Sequence, residues 1–229
     1  MDLLSTYSLI RSGLEDRELP EPLEPFEHVN EVEELRIAFR PTNTRLLLFA
    51  ESHVRVTDEY FADRGAGFIY NHHYYTPWWN DLLLPALSTR EVQKASLTEH
   101  ARLVQLLNFQ RLGFWVVDAS IIALSGYKKL GKHFEGRPFD GLKGAVIQDS
   151  WEYVGPIVDK MLNQAQPPVI CYFQTVDFVL PEEVRKKSTA LKFCTQTNAS
   201  VYRSEAYPHG TAAFISAARR AGISLDQLG

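Results

Sequence analysis

The sequence predicts an α/β fold: three layers, α/β/α, around a central sheet of about four parallel strands. Two features of the chain carry this. Its apolar runs are of strand length and do not alternate, as expected of strands covered by helices on both faces. Between them lie apolar stripes at helical spacing, and an alternation of buried strands with helices implies right-handed crossovers. At 229 residues and 45% apolar content, the chain can enclose one large core.

A short helix opens the chain. The following stretch, Glu15 to Pro25, alternates acids with Pro20, Pro22 and Pro25 and reads as a linker, because proline interrupts a helix and little apolar surface is available to pack. Residues 1–26 are therefore expected to form an acidic N-terminal helix and Pro-rich linker, and 27–229 the main α/β domain. Val29, Val32, Leu35, Ile37 and Phe39 predict a helix over Glu27–Arg40, ended by Pro41. The first strand is Arg45–Ala50. The spacings Ser88-x-x-Glu91 and Ser96-x-x-Glu99 are capping boxes, and the second predicts a helix with Leu103, Val104, Leu106 and Leu107, stopped at Gly113. Phe114–Val117 is the second strand. Ile157, Val158, Met161 and Leu162 mark a further helix, and Val169–Phe173, behind Pro167 and Pro168, the third strand. A weaker run, Ser200–Arg203, predicts the fourth, ahead of a last helix that begins near Thr211 and carries Ala213, Phe214, Ala217 and Ala218.

Composition excludes several classes. No apolar stretch approaches the roughly 20 residues of a membrane span, and the first residues lack the order of a secretory signal, so a cytoplasmic protein without membrane contact is expected. The two cysteines, Cys171 and Cys194, form no Cys-x-x-Cys and cannot build a disulfide framework or an all-cysteine metal centre. Cys171, within an apolar run, reads as a small buried hydrophobe. The net charge of −4 hides an asymmetry: residues 1–34 hold ten acidic and two basic side chains, leaving 22 basic against 18 acidic in the rest. The body is mildly basic, compatible with a nucleic-acid partner and equally with a solvated mixed surface.

In an open parallel sheet, ligands bind outside the carboxyl ends of the strands. Those positions are polar here: Glu51-Ser52-His53 after the first strand, Asp118-Ala119-Ser120 after the second, Gln174 to Asp177 after the third, and Glu205 to Thr211 after the fourth. Leu48-Phe49-Ala50-Glu51-Ser52-His53 resembles the first motif of the uracil-DNA glycosylase superfamily, where a buried strand runs into Gly-Glu-x-Pro or Gly-Gln-Asp-Pro. Phe114 to Asp118 resembles that superfamily's second strand, and Tyr207-Pro208-His209-Gly210 its last motif, a loop before the C-terminal helix. The resemblance spans about residues 44–222, with each motif degenerate. Ala50 stands in place of the glycine, His53 of the proline, and Val54 where uracil enzymes often close the pocket with an aromatic ring. Asp118 replaces an asparagine that reads uracil; an ionised aspartate only accepts hydrogen bonds, which suits the exocyclic amine of cytosine.

The resemblance implies a DNA glycosylase that flips out and excises a modified or damaged pyrimidine, modified cytosine favoured over plain uracil, in DNA repair or in defence against phage DNA with modified bases. It implies no cofactor and no metal. Glu51 is expected to position water and stabilise the sugar cation, and His209 to donate to the base or a phosphate, aided by the helix N-terminus at Thr211. Asp118 is expected both to read the base and to take part in catalysis. His53, Phe61, Phe68 and Tyr70 are expected around the flipped base, with Gly65-Ala66-Gly67-Phe68 similar to the glycine-rich segment that supplies a stacking ring. The DNA contacts would be Ser52, Lys128, Lys129, Lys132 and Thr211, the lysines lying in a basic stretch over 126–143 with interleaved aromatics. Two other readings use the same residues. One is a non-catalytic nucleic-acid-binding module of this fold. The other is a metal hydrolase built on Glu51, His53, His72, His73 and His209, against which stands the divergence of adjacent His72 and His73.

Overall fold

A computed structural model describes residues 1–16, 23–74, 98–124, 141–191 and 208–223. Four parallel strands form one sheet: β1 (Leu46–Ala50), β2 (Phe114–Asp118), β3 (Val169–Phe173) and β4 (Thr189–Leu191), in the order β2-β1-β3-β4. Every residue of β1 and β2 is buried, which is why both runs are continuously apolar up to Asp118. The helices are α1 (Leu3–Glu15), α2 (Phe26–Ala38), α3 (Asp58–Arg64), α4 (Glu99–Leu112), α5 (Leu142–Leu162), α6 (Glu182–Lys187) and α7 (Pro208–Arg220), with a 3-10 turn at Gln174–Val179.

Alternation along the strands decides which helix covers which face. Phe114 on β2 meets Phe109 of α4 and Phe214 of α7, both edge-on. Its neighbour Trp115 points the other way and donates its indole N–H to the Arg36 carbonyl of α2, while Phe49 on that face meets Trp151 of α5. These are the two outer layers of an α/β/α sandwich. Gly113 joins α4 to β2 at φ 85°, a left-handed helix cap; a Cβ there would lie 2.6 Å from the Asn43 carbonyl oxygen.

Two expectations change, the cap of α4 and the start of the last helix. The α4 cap is Thr98, whose hydroxyl accepts the Ala101 N–H, and not Ser96. The strand expected at Ser200–Arg203 lies outside the described residues, as does Ser88-x-x-Glu91, and the described fourth strand is the three-residue β4. The last helix begins at Pro208, so Thr211 lies one turn inside it. The N-terminal segment packs on the body of the protein. Tyr7, Ile10 and Leu14 of α1 belong to the main core, α1 packs on α5, and Glu24 within the expected linker is only 1% exposed.

Candidate active site at the strand ends

The strand order reverses around β1, with β2 on one side and β3 on the other, the position at which open parallel sheets bind their ligands. Glu51 is the first residue beyond that end. Pairing continues past the strands, since Ala119 N–H donates to the Ala50 carbonyl and Ser120 N–H to that of Glu51, both at 2.9 Å. Glu51, Asp118 and Ser120 are thereby held side by side.

Glu51 is partly exposed and its carboxylate meets the Lys143 ammonium at 2.6 Å; the Lys143 side chain is only 9% exposed. Lys143 belongs to the first turn of α5 and not to a phosphate-facing loop. Asp118 is 8% exposed, and its Oδ2 has no hydrogen-bond partner among the described residues. Burial pushes its carboxyl up to about 6, against the opposing pull of His53 and Arg36 and with help from the charges of Glu51 and Glu33.

Beneath this rim sits a buried ion pair. The His53 ring donates through Nε2 to both Glu24 carboxylate oxygens at 3.0 and 3.1 Å, and Glu24 Oε1 also accepts the Ala123 N–H at 2.5 Å. The Tyr7 hydroxyl donates to the Glu24 carbonyl at 2.7 Å, fixing the backbone of the carboxylate to α1. Burial opposes both charges, but the pair outweighs it: Glu24 is held below its ordinary range and His53 above. His53 Nδ1 is left buried without a partner among the described residues.

Other expected site residues are placed differently. Phe68 and Tyr70 are 3% and 1% exposed, packed edge-on against each other, so neither ring is open to stack on a base. Their burial follows from sheet closure: among the described residues β2 is an edge strand, and the Tyr70 hydroxyl accepts its Val116 N–H at 2.6 Å. Gly67 is required where the chain crosses Val54, because a Cβ would fall 2.3 Å from the Val54 carbonyl oxygen. Phe61 stacks on His28 at 3.7 Å and is partly buried. The Ser52 hydroxyl donates to the His53 carbonyl and accepts the Leu124 N–H, which commits it to the loop and not to a phosphate. His209 lies on the first turn of α7 and Thr211 one turn in, their side chains outside the description; Lys128, Lys129 and Lys132 lie outside the described residues. The histidines of the metal reading have separate partners, His53 on Glu24 and His73 on Glu99, and no group of three metal-capable side chains occurs among the described residues. Cys171 is buried and its thiol pushed up to about 12 by desolvation, in keeping with a packing role.

Two residues of this region were not singled out from the sequence, Glu24 and Arg36; Lys143 was read as part of the basic stretch over 126–143 and instead pairs with Glu51. Arg36 had a readable signal, since Val29, Val32 and Arg36 share one helical face and all are buried. Its guanidinium lies over Trp115, with the ring centroid at 5.2 Å, and donates to Glu33, which also accepts the Tyr153 hydroxyl at 2.5 Å. A small cleft of about 20 Å3 is lined by Arg36, Glu33, Tyr153, Asp118, Ser120 and apolar neighbours.

Asp118 therefore burdens the fold at neutral pH. Its folded-state pKa lies above the unfolded 3.8, so its contribution is favourable only at low pH and is lost as pH rises towards about 6. Asp118→Asn is expected to stabilise the protein at pH 8 by about 2–3 kcal/mol and to change little at pH 4. Parallel denaturant titrations at the two pH values check this.

The class these features define is an α/β protein with a doubly covered parallel sheet and a polar rim at its strand ends. Comparison with known protein families, curated proteins and solved structures yields no match for this chain.

Proposed function

We propose that the protein is a DNA glycosylase, with Glu51 and Asp118 as its working carboxyl groups and a modified pyrimidine, cytosine-type before uracil, as its base. The reading rests on the resemblance of the strand ends to the uracil-DNA glycosylase superfamily. The observation that supports it is the pairing of two unlike carboxyl groups on one rim: Glu51, partly exposed and ion-paired, beside Asp118, buried and held near neutrality. Environments that separate two carboxyl groups in this way suit acid and base roles in glycosidic hydrolysis.

In that reaction the C1′–N bond breaks with its electron pair leaving on the base. Positive charge grows on the sugar beside Glu51, water adds its oxygen to C1′, and its proton passes to Glu51 or solvent. The leaving base takes a proton from solvent or from a donor such as His209. Asp118, ionised above about pH 6, accepts from an exocyclic amine; once protonated it also donates, as a base carrying O4 and N3–H requires. DNA repair and removal of foreign DNA with modified bases are both served by this chemistry. Burial of Phe68 and Tyr70 favours the alternative, a non-catalytic nucleic-acid-binding module, because the expected stacking rings are closed off.

The deciding experiment incubates the protein with duplex and single-stranded DNA carrying cytosine, uracil, 5-hydroxymethylcytosine or its glucosylated form, at pH 5 and pH 8, followed by alkali. Strand breaks at a cytosine-type base at pH 8, with the share of uracil cleavage rising at pH 5, are expected. Intact DNA of every kind, with DNA still bound, favours the binding module.

A further inference from the structure

The opposite end of the sheet, where the strands begin, is a cationic edge. Helices of a parallel α/β fold run back against the strands, so their C-terminal ends gather there. The last turns carry Arg111 on α4, Lys187 on α6, and Arg219 and Arg220 on α7, and Arg45, the residue before β1, joins them. All five are exposed. Backbone and side-chain bonds set them in one row across the strand order β4-β3-β1-β2. Arg220 reaches the Thr189 hydroxyl at the start of β4 at 3.4 Å. Arg45 donates its guanidinium to the Gly222 carbonyl just past α7 at 2.9 Å, and its N–H to the Gly113 carbonyl just past α4 at 2.7 Å. With strands about 4.8 Å apart, the row spans about 14 Å.

These cations differ from those elsewhere. Arg11, Arg36, Arg64, Lys143, Arg185 and Lys186 each meet a carboxylate. None of the five in the row does so among the described residues. Helix dipoles account for part of them, since each helix end carries about half a negative charge. The three helix ends and the exposed Glu183 offset about half of the row, leaving a surplus of about 2–3 positive charges. Adding the ends of α2 and α5 with Arg40, Asp159 and Lys160 leaves that surplus unchanged.

No exposed aromatic ring occurs among the described residues, so this edge offers no platform on which unpaired bases could stack. A row of cations without stacking rings suits phosphate oxygens, which are contacted without regard to sequence. Its span is close to the roughly 12 Å of a major groove, so its two ends can meet phosphates of both strands of a duplex.

We infer that the strand-start edge, carried by Arg45, Arg111, Lys187, Arg219 and Arg220, is a docking surface for the phosphate backbone of duplex nucleic acid. It lies the length of the strands, about 16 Å, from Glu51 and Asp118, and does not depend on the glycosylase reading. A duplex held here leaves the rim free.

Binding of a short unmodified DNA duplex to the full chain, followed by fluorescence anisotropy from about 50 to 200 mM salt, tests this. Five phosphate contacts give a logarithmic salt slope of about −4 to −5. Arg111, Lys187 and Arg219 have no side-chain hydrogen bond among the described residues, so their replacement isolates charge. The Arg111→Gln, Lys187→Gln, Arg219→Gln triple variant is expected to bring the slope to about −2 and to weaken binding about 10- to 100-fold at low salt. Should the triple variant fail to fold, each single variant still takes about 1 off the slope. Cations that serve only the helix ends predict a lower urea midpoint with the slope unchanged, and that result overturns the inference. So does absence of duplex binding at low salt, or tighter binding of single-stranded than of duplex DNA. Light scattering without DNA covers the other source of negative charge: salt-sensitive self-association lost in the triple variant, with no duplex bound, gives the row to the acidic N-terminal segment of a second copy and overturns the inference. Base excision with an unchanged slope in the triple variant sinks this surface and leaves the glycosylase reading; a slope reduced in that variant, with no excision of any base, does the opposite.

Discussion

Glu51→Gln is expected to lower base excision by about 100- to 10,000-fold while the protein still binds DNA, because the amide can neither take a proton from water nor balance a sugar cation. The ion pair with Lys143 makes the choice of variant matter. Truncating Glu51 to Ala leaves a cation that is 9% exposed without its partner, which costs about 3–5 kcal/mol when such a pair is broken. Loss of activity in Glu51→Ala would therefore mix chemistry with unfolding. A Glu51→Gln, Lys143→Met double variant removes both charges and is expected to recover the stability without the activity. Excision rates on cytosine-modified DNA, measured beside urea midpoints, read the two effects apart; recovered activity in the double variant would dismiss Glu51 as a catalytic residue.

The second large effect belongs to Glu24. Glu24→Ala strands His53 in the core and frees the Ala123 N–H, and a loss of about 3–5 kcal/mol is expected. Its pH dependence follows from the directions of the two shifts. The Glu24 carboxylate is held below its unfolded value of 4.5, so its stabilisation is present above that pH and fades as pH falls through the lower folded value. His53 is held above its unfolded 6.5, so its stabilisation is complete below that pH and fades as pH rises through the folded value. The difference in unfolding free energy between wild type and Glu24→Ala should be largest between about pH 4.5 and 6.5 and shrink on either side. A difference that stays flat from pH 3 to pH 9 would show that packing around Glu24, and not its ion pair, carries the stability. Because Tyr7 fixes Glu24 to α1, removal of α1 should mimic part of this loss.

This coupling also bears on the acidic N-terminus. Four of its side chains, Tyr7, Ile10, Leu14 and Glu24, are built into the core, and Glu24 ties the loops after β1 and β2 to one another. The N-terminal segment thus helps shape the rim on which Glu51 and Asp118 stand. Its role lies in the site as much as on the surface.

The parts legible from the sequence were those governed by local pattern. Continuous apolar runs identified β1, β2 and β3 because strands covered on both faces admit no polar residue until their ends, and that same rule pointed to Glu51 and Asp118. Gly113 marked the end of α4 because the left-handed cap at φ 85° favours glycine. Partners distant in the chain decided the rest. Glu24 meets His53 across 29 residues and Ala123 across 99, so an acid in a proline-rich stretch gives no local sign of burial. Tyr70 and Phe68 read equally well as stacking rings until the edge strand 46 residues on claims the Tyr70 hydroxyl. Lys128-type and Lys143-type cations look alike in a basic run, yet the start of α5 turns Lys143 inward to Glu51. Periodicity records which face of an element is buried, but only the assembled sheet and its helices determine which charge that face will meet.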